Sequence, residues 1–200
     1  METINRKVIF LGDQGVGKTS TITRYVKKSF RNNTTPTLGC FSFVYELVID
    51  TITVKLQILD PSGQERFKSM LPKFYREANA AIIVFDITSH QTFKSAQKWF
   101  AELKRNVESP IVLCVLGNKM DLTENRQVTT DEAYQYARSI GASYHECSAK
   151  QDQEGVEAVF DDVARKMQTL FGNTCTRNEE TVNLNERSTE RRANCFDTRN

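Results

Sequence analysis

Three glycines, a lysine and a threonine open the chemistry of this chain. Residues 12–20 read GDQGVGKTS, which fits G-x-x-x-x-G-K-[ST]. The apolar run KVIFL at 7–11 leads into it as a strand should, and TSTITRYVKKSF from 19 onward can begin a helix. This is the strand–loop–helix setting in which such a loop cradles phosphate. Gly12, Gly15 and Gly17 let the backbone bend until its N–H groups approach phosphate oxygens, with Val16 and Ser20 in the same stretch. The helix N-terminus adds its partial positive charge. Lys18 can reach β- and γ-phosphates, and the Thr19 hydroxyl can hold Mg²⁺.

The loop predicts a nucleoside triphosphate without naming its base. NKMD at 118–121 names it, because it ends the apolar run IVLCVLG at 111–117, and ligands gather at the carboxyl ends of strands in open α/β sheets. The Asp121 carboxylate can accept two hydrogen bonds from the N1–H and N2–H₂ edge of guanine, a donor pair that adenine lacks. Asn118 can tie this segment to the phosphate loop, and Lys119 can lay its aliphatic stem along the base. DPSGQ at 60–64 ends another apolar strand, VKLQIL at 54–59. There Asp60 can hold Mg²⁺ through a water, the Gly63 N–H can sense a γ-phosphate, and Gln64 can orient the attacking water. ECSAK at 146–150 ends a late strand, where Ser148 joins the base site, the Ala149 N–H can meet the guanine O6 and Lys150 can cover the base.

In order and spacing these four segments resemble those of the Ras-like small GTPases. The resemblance runs from about residue 5 to about residue 172 and is nearest to the Rab group, through KLQILDPSGQERF at 55–67, KFYREANAAIIVFDIT at 73–88 and the late helix EGVEAVFDDVARKM. It implies a switch threonine at Thr37, 19 residues after Lys18, that ligates Mg²⁺ when GTP is bound, and at Phe30 an aromatic that stacks on guanine. It further implies binding of GTP and GDP with Mg²⁺, slow GTP hydrolysis through Lys18, Gly63 and Gln64, and a conformational switch in vesicle trafficking. Effectors, an exchange factor and a GTPase-activating protein would read the switch loops. A nucleotide-binding scaffold with negligible hydrolysis and a Ras-type signalling GTPase are the alternatives. A P-loop kinase is disfavoured by NKMD and by the lack of a lid insertion. The chain departs from the Rab pattern at Leu59, usually Trp, and at Pro61-Ser62, usually Thr-Ala. Gln14, where Ras has glycine and Rabs often serine, is long enough to crowd Gln64.

The elements that must position these residues follow from periodicity. Strands are expected at 6–11, 41–49, 54–59, 80–86, 111–117 and 143–148, with the second and third joined as a hairpin near Asp50. Helices are expected to about 28 and near 65–78, 90–106, 131–140 and 154–171. Thr129-Thr-Asp-Glu132 fits a capping box for the fourth. Alternating strands and helices predict an α/β fold, the P-loop NTPase G domain: six strands, mostly parallel, one antiparallel edge strand and about five helices.

The chain has 200 residues, enough for one domain with a good core. Its net charge of +2, without a basic aromatic stripe, speaks against nucleic acid as a partner. Five cysteines without metal-ligand spacing point to a reducing compartment; Cys114 and Cys147 read as core residues, and His90 and His145 as surface or structural ones. Residues 1–172 are read as the G domain and 173–200 as a disordered tail, polar with five basic and five acidic residues. Cys195 is followed by Phe-Asp-Thr-Arg-Asn, which is neither a C-a-a-X box nor a terminal cysteine pair, so no standard membrane anchor is read. The chain is expected to be a cytoplasmic monomer, with the cytosolic face of endomembranes as a second place of action and membrane association left open.

Overall fold

A computed structural model of the chain describes residues 2–32, 35–37, 39–63 and 71–172. Strands β1 (Glu2–Leu11), β2 (Cys40–Ile49), β3 (Ile52–Pro61), β4 (Ala80–Asp86), β5 (Val112–Asn118) and β6 (Ser143–Glu146) form one sheet in the order β2-β3-β1-β4-β5-β6. All pairings are parallel except β2 with β3, whose antiparallel hairpin turns at Asp50, held at φ 53°. Helices α1 (Lys18–Lys27), α2 (Leu71–Tyr75), α3 (His90–Asn106), α4 (Thr130–Ser139) and α5 (Gln153–Phe171) complete the fold.

Each face of the sheet has its own core. Along β1, Val8 and Phe10 point toward α1 and α5, where Tyr25 stacks on Phe160 with ring centroids 3.7 Å apart. Ile9 and Leu11 point the other way, toward Tyr75, Phe93, Trp99 and Ala133 of the other helices. β4 is buried along its whole length, as an apolar run covered on both faces should be. Cys114 and Cys147 lie in the core as expected. Among the described residues no helix is long and apolar enough to cross a membrane.

The differences from the sequence reading have local causes. β1 begins at Glu2 rather than near residue 6, because Arg6 is itself buried. Its guanidinium donates to the Gly172 carbonyl at 2.6 Å and to Asn5 O at 3.1 Å, and lies 5.6 Å from the Phe171 ring centroid, so a charged residue serves as an inward-facing strand position. β3 runs on to Pro61, which pairs with Cys40 at the end of the hairpin. β6 stops at Glu146, although the Cys147 N–H still donates to Gly117 O of β5 at 2.9 Å. The helix expected near 65–78 is α2 at Leu71–Tyr75; its expected first residues lie outside the described residues, and the positive φ of Glu77, 65°, lies beyond its end. Half of the capping box forms: Thr129 Oγ1 accepts from the Glu132 N–H at 3.1 Å, while the Glu132 carboxylate pairs with His90 of α3 instead of turning back. His145 likewise pairs with Asp162 of α5, so each histidine links two elements of the fold.

Candidate functional site

Four strand ends deliver the expected segments to one edge of the sheet. β1 runs into the loop from Gly12, β3 into Ser62 and Gly63, β5 into Asn118 and Lys119, and the turn after β6 carries Ser148 to Lys150. They line a cleft of about 410 Å³, together with Gln14, Phe30 and Thr37, a volume in the range of small-molecule sites. α1 starts at Lys18 with Gly17 as its cap, which has no side chain to bond the first N–H groups, and the helix N-terminus faces the cleft.

At one end of the cleft Lys18 is buried and donates to the carbonyls of Gly12 at 2.8 Å and Asp13 at 2.9 Å. Burial pushes its pKa down to about 8, against the opposing charges of Asp60 and Asp13. Gly63 lies close beneath: a Cβ there would stand 2.5 Å from both Asp13 C and Gln14 N and 2.6 Å from Lys18 Nζ. Only glycine lets the loop after β3 approach the phosphate loop this closely. Gln64 lies outside the described residues, and so does its contact with Gln14.

Beside Lys18 three oxygens converge. Thr19 Oγ1 donates to Asp60 Oδ2 at 2.5 Å and stands 3.0 Å from Thr37 Oγ1. Asp60 is fully buried; burial raises its pKa, opposed by the Thr19 hydrogen bond and the Lys18 charge. Its second oxygen, Oδ1, is buried with no hydrogen-bond partner among the described residues, an arrangement that calls for an unseen partner. Hydroxyls and one carboxylate suit Mg²⁺, which takes hard oxygens and binds through one or two carboxylates plus substrate phosphates. No cluster of three or more His, Cys, Asp or Glu among the described residues offers an all-protein alternative. The residues present therefore fit that ion.

At the other end Asn118 joins three segments. Its Nδ2 donates to Val16 O at 2.8 Å, and its Oδ1 accepts from the Ala149 N–H at 3.1 Å. The tie to the phosphate loop is the one the sequence suggested. The Ala149 N–H, however, is already engaged, so a base carbonyl would share it with Asn118. Gly17 permits the tie: at φ 99° it sits where a Cβ would come within 2.1 Å of Asn118 Nδ2. Asp121 is the second residue of a 3₁₀ turn, Met120–Asn125, that periodicity did not reveal. One carboxylate oxygen accepts from Ser148 Oγ at 2.6 Å, and Lys150 Nζ lies 4.0 Å from the other. Ser148 thus orients Asp121, besides accepting from the N–H groups of Lys150 and Gln151.

Sequence reasoning missed three supports. Asp86, the polar end of an apolar strand, pairs with Lys119 at 2.6 Å and fixes its ammonium; although burial raises the Asp86 pKa, the bonds from Lys119 and Thr88 bring it below the ordinary value. Arg24 of α1 donates Nε to Ala149 O at 2.8 Å and also bonds Lys150 O, with its guanidinium 5.9 Å from the Phe30 ring centroid. Trp99 of α3 donates its indole N–H to Asp13. Of these only Asp86 had a sequence signal, its place at a strand end.

A cleft at the carboxyl ends of a doubly wound sheet, with a glycine-rich loop opening into a helix N-terminus, defines a P-loop nucleotide-binding protein. The model of the Ras family matches residues 7–169, and the chain belongs to that family. It is 42% identical over 164 residues to Ras-related protein RHN1 of Nicotiana plumbaginifolia, covering 82% of each chain. It is 40% identical over 166 residues to Ras-related protein RABF2b of Arabidopsis thaliana, covering 83% of this chain and 82% of the relative. To human Ras-related protein Rab-21 it is 40% identical over 161 residues, covering 80% of this chain and 71% of the relative. With such relatives it is a Rab-like small GTPase: it binds guanine nucleotide, hydrolyses GTP to GDP and phosphate, and works with regulators and effectors.

Proposed function

We propose that the cleft holds GTP or GDP with its phosphates at Lys18 and its base at Asp121, and that the protein switches vesicle traffic on the cytosolic face of endomembranes. One observation carries the reading: hard oxygens of Thr19, Thr37 and Asp60 gather beside the buried Lys18 at one end, while at the other Asn118 is bonded to Val16 and Ala149 and Asp121 to Ser148. The amides of Gly15, Val16, Gly17, Thr19 and Ser20 and the Lys18 ammonium neutralise phosphate charge. Thr19, Thr37 and Asp60 would hold Mg²⁺, which when bound offsets charge on the β- and γ-oxygens. The Gly63 N–H contacts the γ-phosphate, and Gln64 orients the attacking water. Phe30 and the stems of Lys119 and Lys150 enclose the base, whose O6 shares the Ala149 N–H.

Loss of the γ-phosphate frees the loops at Thr37 and Gly63, and this change is what an effector, an exchange factor and a GTPase-activating protein read. Residues 1–172 act as the G domain, and the segment 173–200 as a tail. Titration of the purified chain with GDP, GTP and ATP, with and without Mg²⁺, tests the site. Guanine nucleotides should bind far more tightly than ATP, and Mg²⁺ should tighten GTP most. Equal binding of ATP and GTP would overturn the assignment of the base end.

A second reading, a nucleotide-dependent scaffold with negligible turnover, is favoured by Gln14, which lines the cleft where Gly63 meets the loop. Single-turnover hydrolysis separates the two.

A further inference from the structure

The loop between β1 and α1 has an anchor outside the cleft. Asp13, its second residue, accepts a hydrogen bond from the Trp99 indole N–H, with Oδ1 at 2.9 Å from Nε1, across 86 positions of sequence. Trp99 is the chain's sole tryptophan, lies in the middle of α3, and is 2% exposed among Phe93, Ala96 and Leu103. Its ring is fixed by a close-packed core, and indole N–H donates in one direction only. The bond therefore ties the loop to a rigid element on the far side of the sheet from α1.

The Asp13–Gln14 peptide is also where the machinery proposed above meets. Lys18 Nζ donates to Asp13 O, and Gly63 packs against Asp13 C and Gln14 N. On either side the loop has glycine at positive φ, Gly12 at 138° and Gly15 at 83°, so the backbone around this peptide has unusual freedom. The Asp13 side chain is what removes that freedom at the peptide itself.

We propose that Trp99 is a positioning residue for GTP hydrolysis: through Asp13 it orients the Asp13–Gln14 peptide and with it Lys18 and Gly63. The proposal rests on the assignment of Lys18 and Gly63 to the γ-phosphate. Small misplacements of such groups cost rate more than binding, because alignment of the reacting groups is more demanding than contact with the bound phosphates.

The test uses the full chain, loaded with GTP and Mg²⁺, as parent, Trp99→Phe, Asp13→Ala, Asp13→Asn and the Trp99→Phe/Asp13→Ala double variant. Single-turnover hydrolysis should slow roughly tenfold in Trp99→Phe and in Asp13→Ala, with the double variant no slower than either single one, since coupled residues are not additive. Asp13→Asn, which keeps an acceptor oxygen, should recover most of the rate. GDP affinity should change much less than the rate. Trp99 emission should differ between GDP and a non-hydrolysable GTP analogue in the parent, and Asp13→Ala should abolish the difference.

Parental rates in Asp13→Ala would overturn the proposal, as would slowing that adds in the double variant. If Trp99→Phe proves too unstable to assay, the Asp13→Ala and Asp13→Asn rates and the Asp13→Ala emission decide alone. A parent that neither binds nor turns over GTP would instead sink the functional reading on which this one stands.

Discussion

Asp121 has one carboxylate oxygen engaged by Ser148 before any base arrives, so its orientation does not depend on ligand. On the proposed roles, Asp121→Asn presents an amide donor where guanine also donates, whereas xanthine offers a carbonyl at C2. GTP affinity should fall by about 1.5–3 kcal/mol per lost charge-assisted bond while xanthine nucleotide gains, as competition titration will show; unchanged GTP affinity would remove Asp121 from the base site. Gln64→Leu keeps bulk and loses hydrogen bonding, so GTP binding should stay near parental and hydrolysis should slow. Gln14→Gly should quicken it if the long side chain beside Gly63 crowds the water; equal single-turnover rates in parent and both variants would dismiss both roles. Most of the site was legible because Asp60 and Asn118 each stand at the end of an apolar run, where local pattern and global position coincide. Arg24 and Trp99 were not legible. Each reaches the site from a helix face, over 125 and 86 positions respectively, and no local periodicity records such a contact.

The elements show the same division. Strands β3 to β5 follow directly from apolar runs, whereas β1 hid its first residues because a buried arginine breaks its pattern. The 3₁₀ turn carrying Asp121 left no periodic signal, and it is held from outside. Arg126, next after the turn, makes two parallel 2.8 Å bonds to Glu146 at the end of β6, while Thr130 donates to the same carboxylate. Burial alone would raise the Glu146 pKa from its ordinary 4.5; the bonds from Arg126, Tyr144 and Thr130 outweigh burial and lower it. A lowered folded value stabilises the fold fully above pH 4.5, and that share is lost as pH falls through the folded value. Glu146→Gln should therefore melt lower than the parent near neutrality and lose less as the buffer is taken below pH 4.5. Parallel melting curves across that window would show that this clamp contributes no pH-dependent stability.

At the scale of the molecule, the proposed roles make the nucleotide state a property of two segments that bring their oxygens together. Thr19 belongs to α1 and Thr37 to the segment before β2, and their hydroxyls are 3.0 Å apart beside Asp60. Thr19→Asn should weaken Mg²⁺ by at least about 10-fold, the loss that changing even an outer-shell partner causes. It should lower GTP affinity more than GDP affinity, because the γ-phosphate depends most on the ion. Equal losses for both nucleotides, measured by competition, would mean that Thr19 is no ligand. The buried Arg6 has a consequence for how the protein can be held. By gripping the Gly172 carbonyl, it pins the backbone just after α5 to β1. Arg6 lies six residues before Gly12, about 20 Å along the strand at ~3.3 Å per residue. Whatever pulls on the chain beyond that point draws the globule by its rear, like a boat moored at the stern. The cleft, at the other end of β1, then faces away from the pull, toward whatever approaches from the solvent.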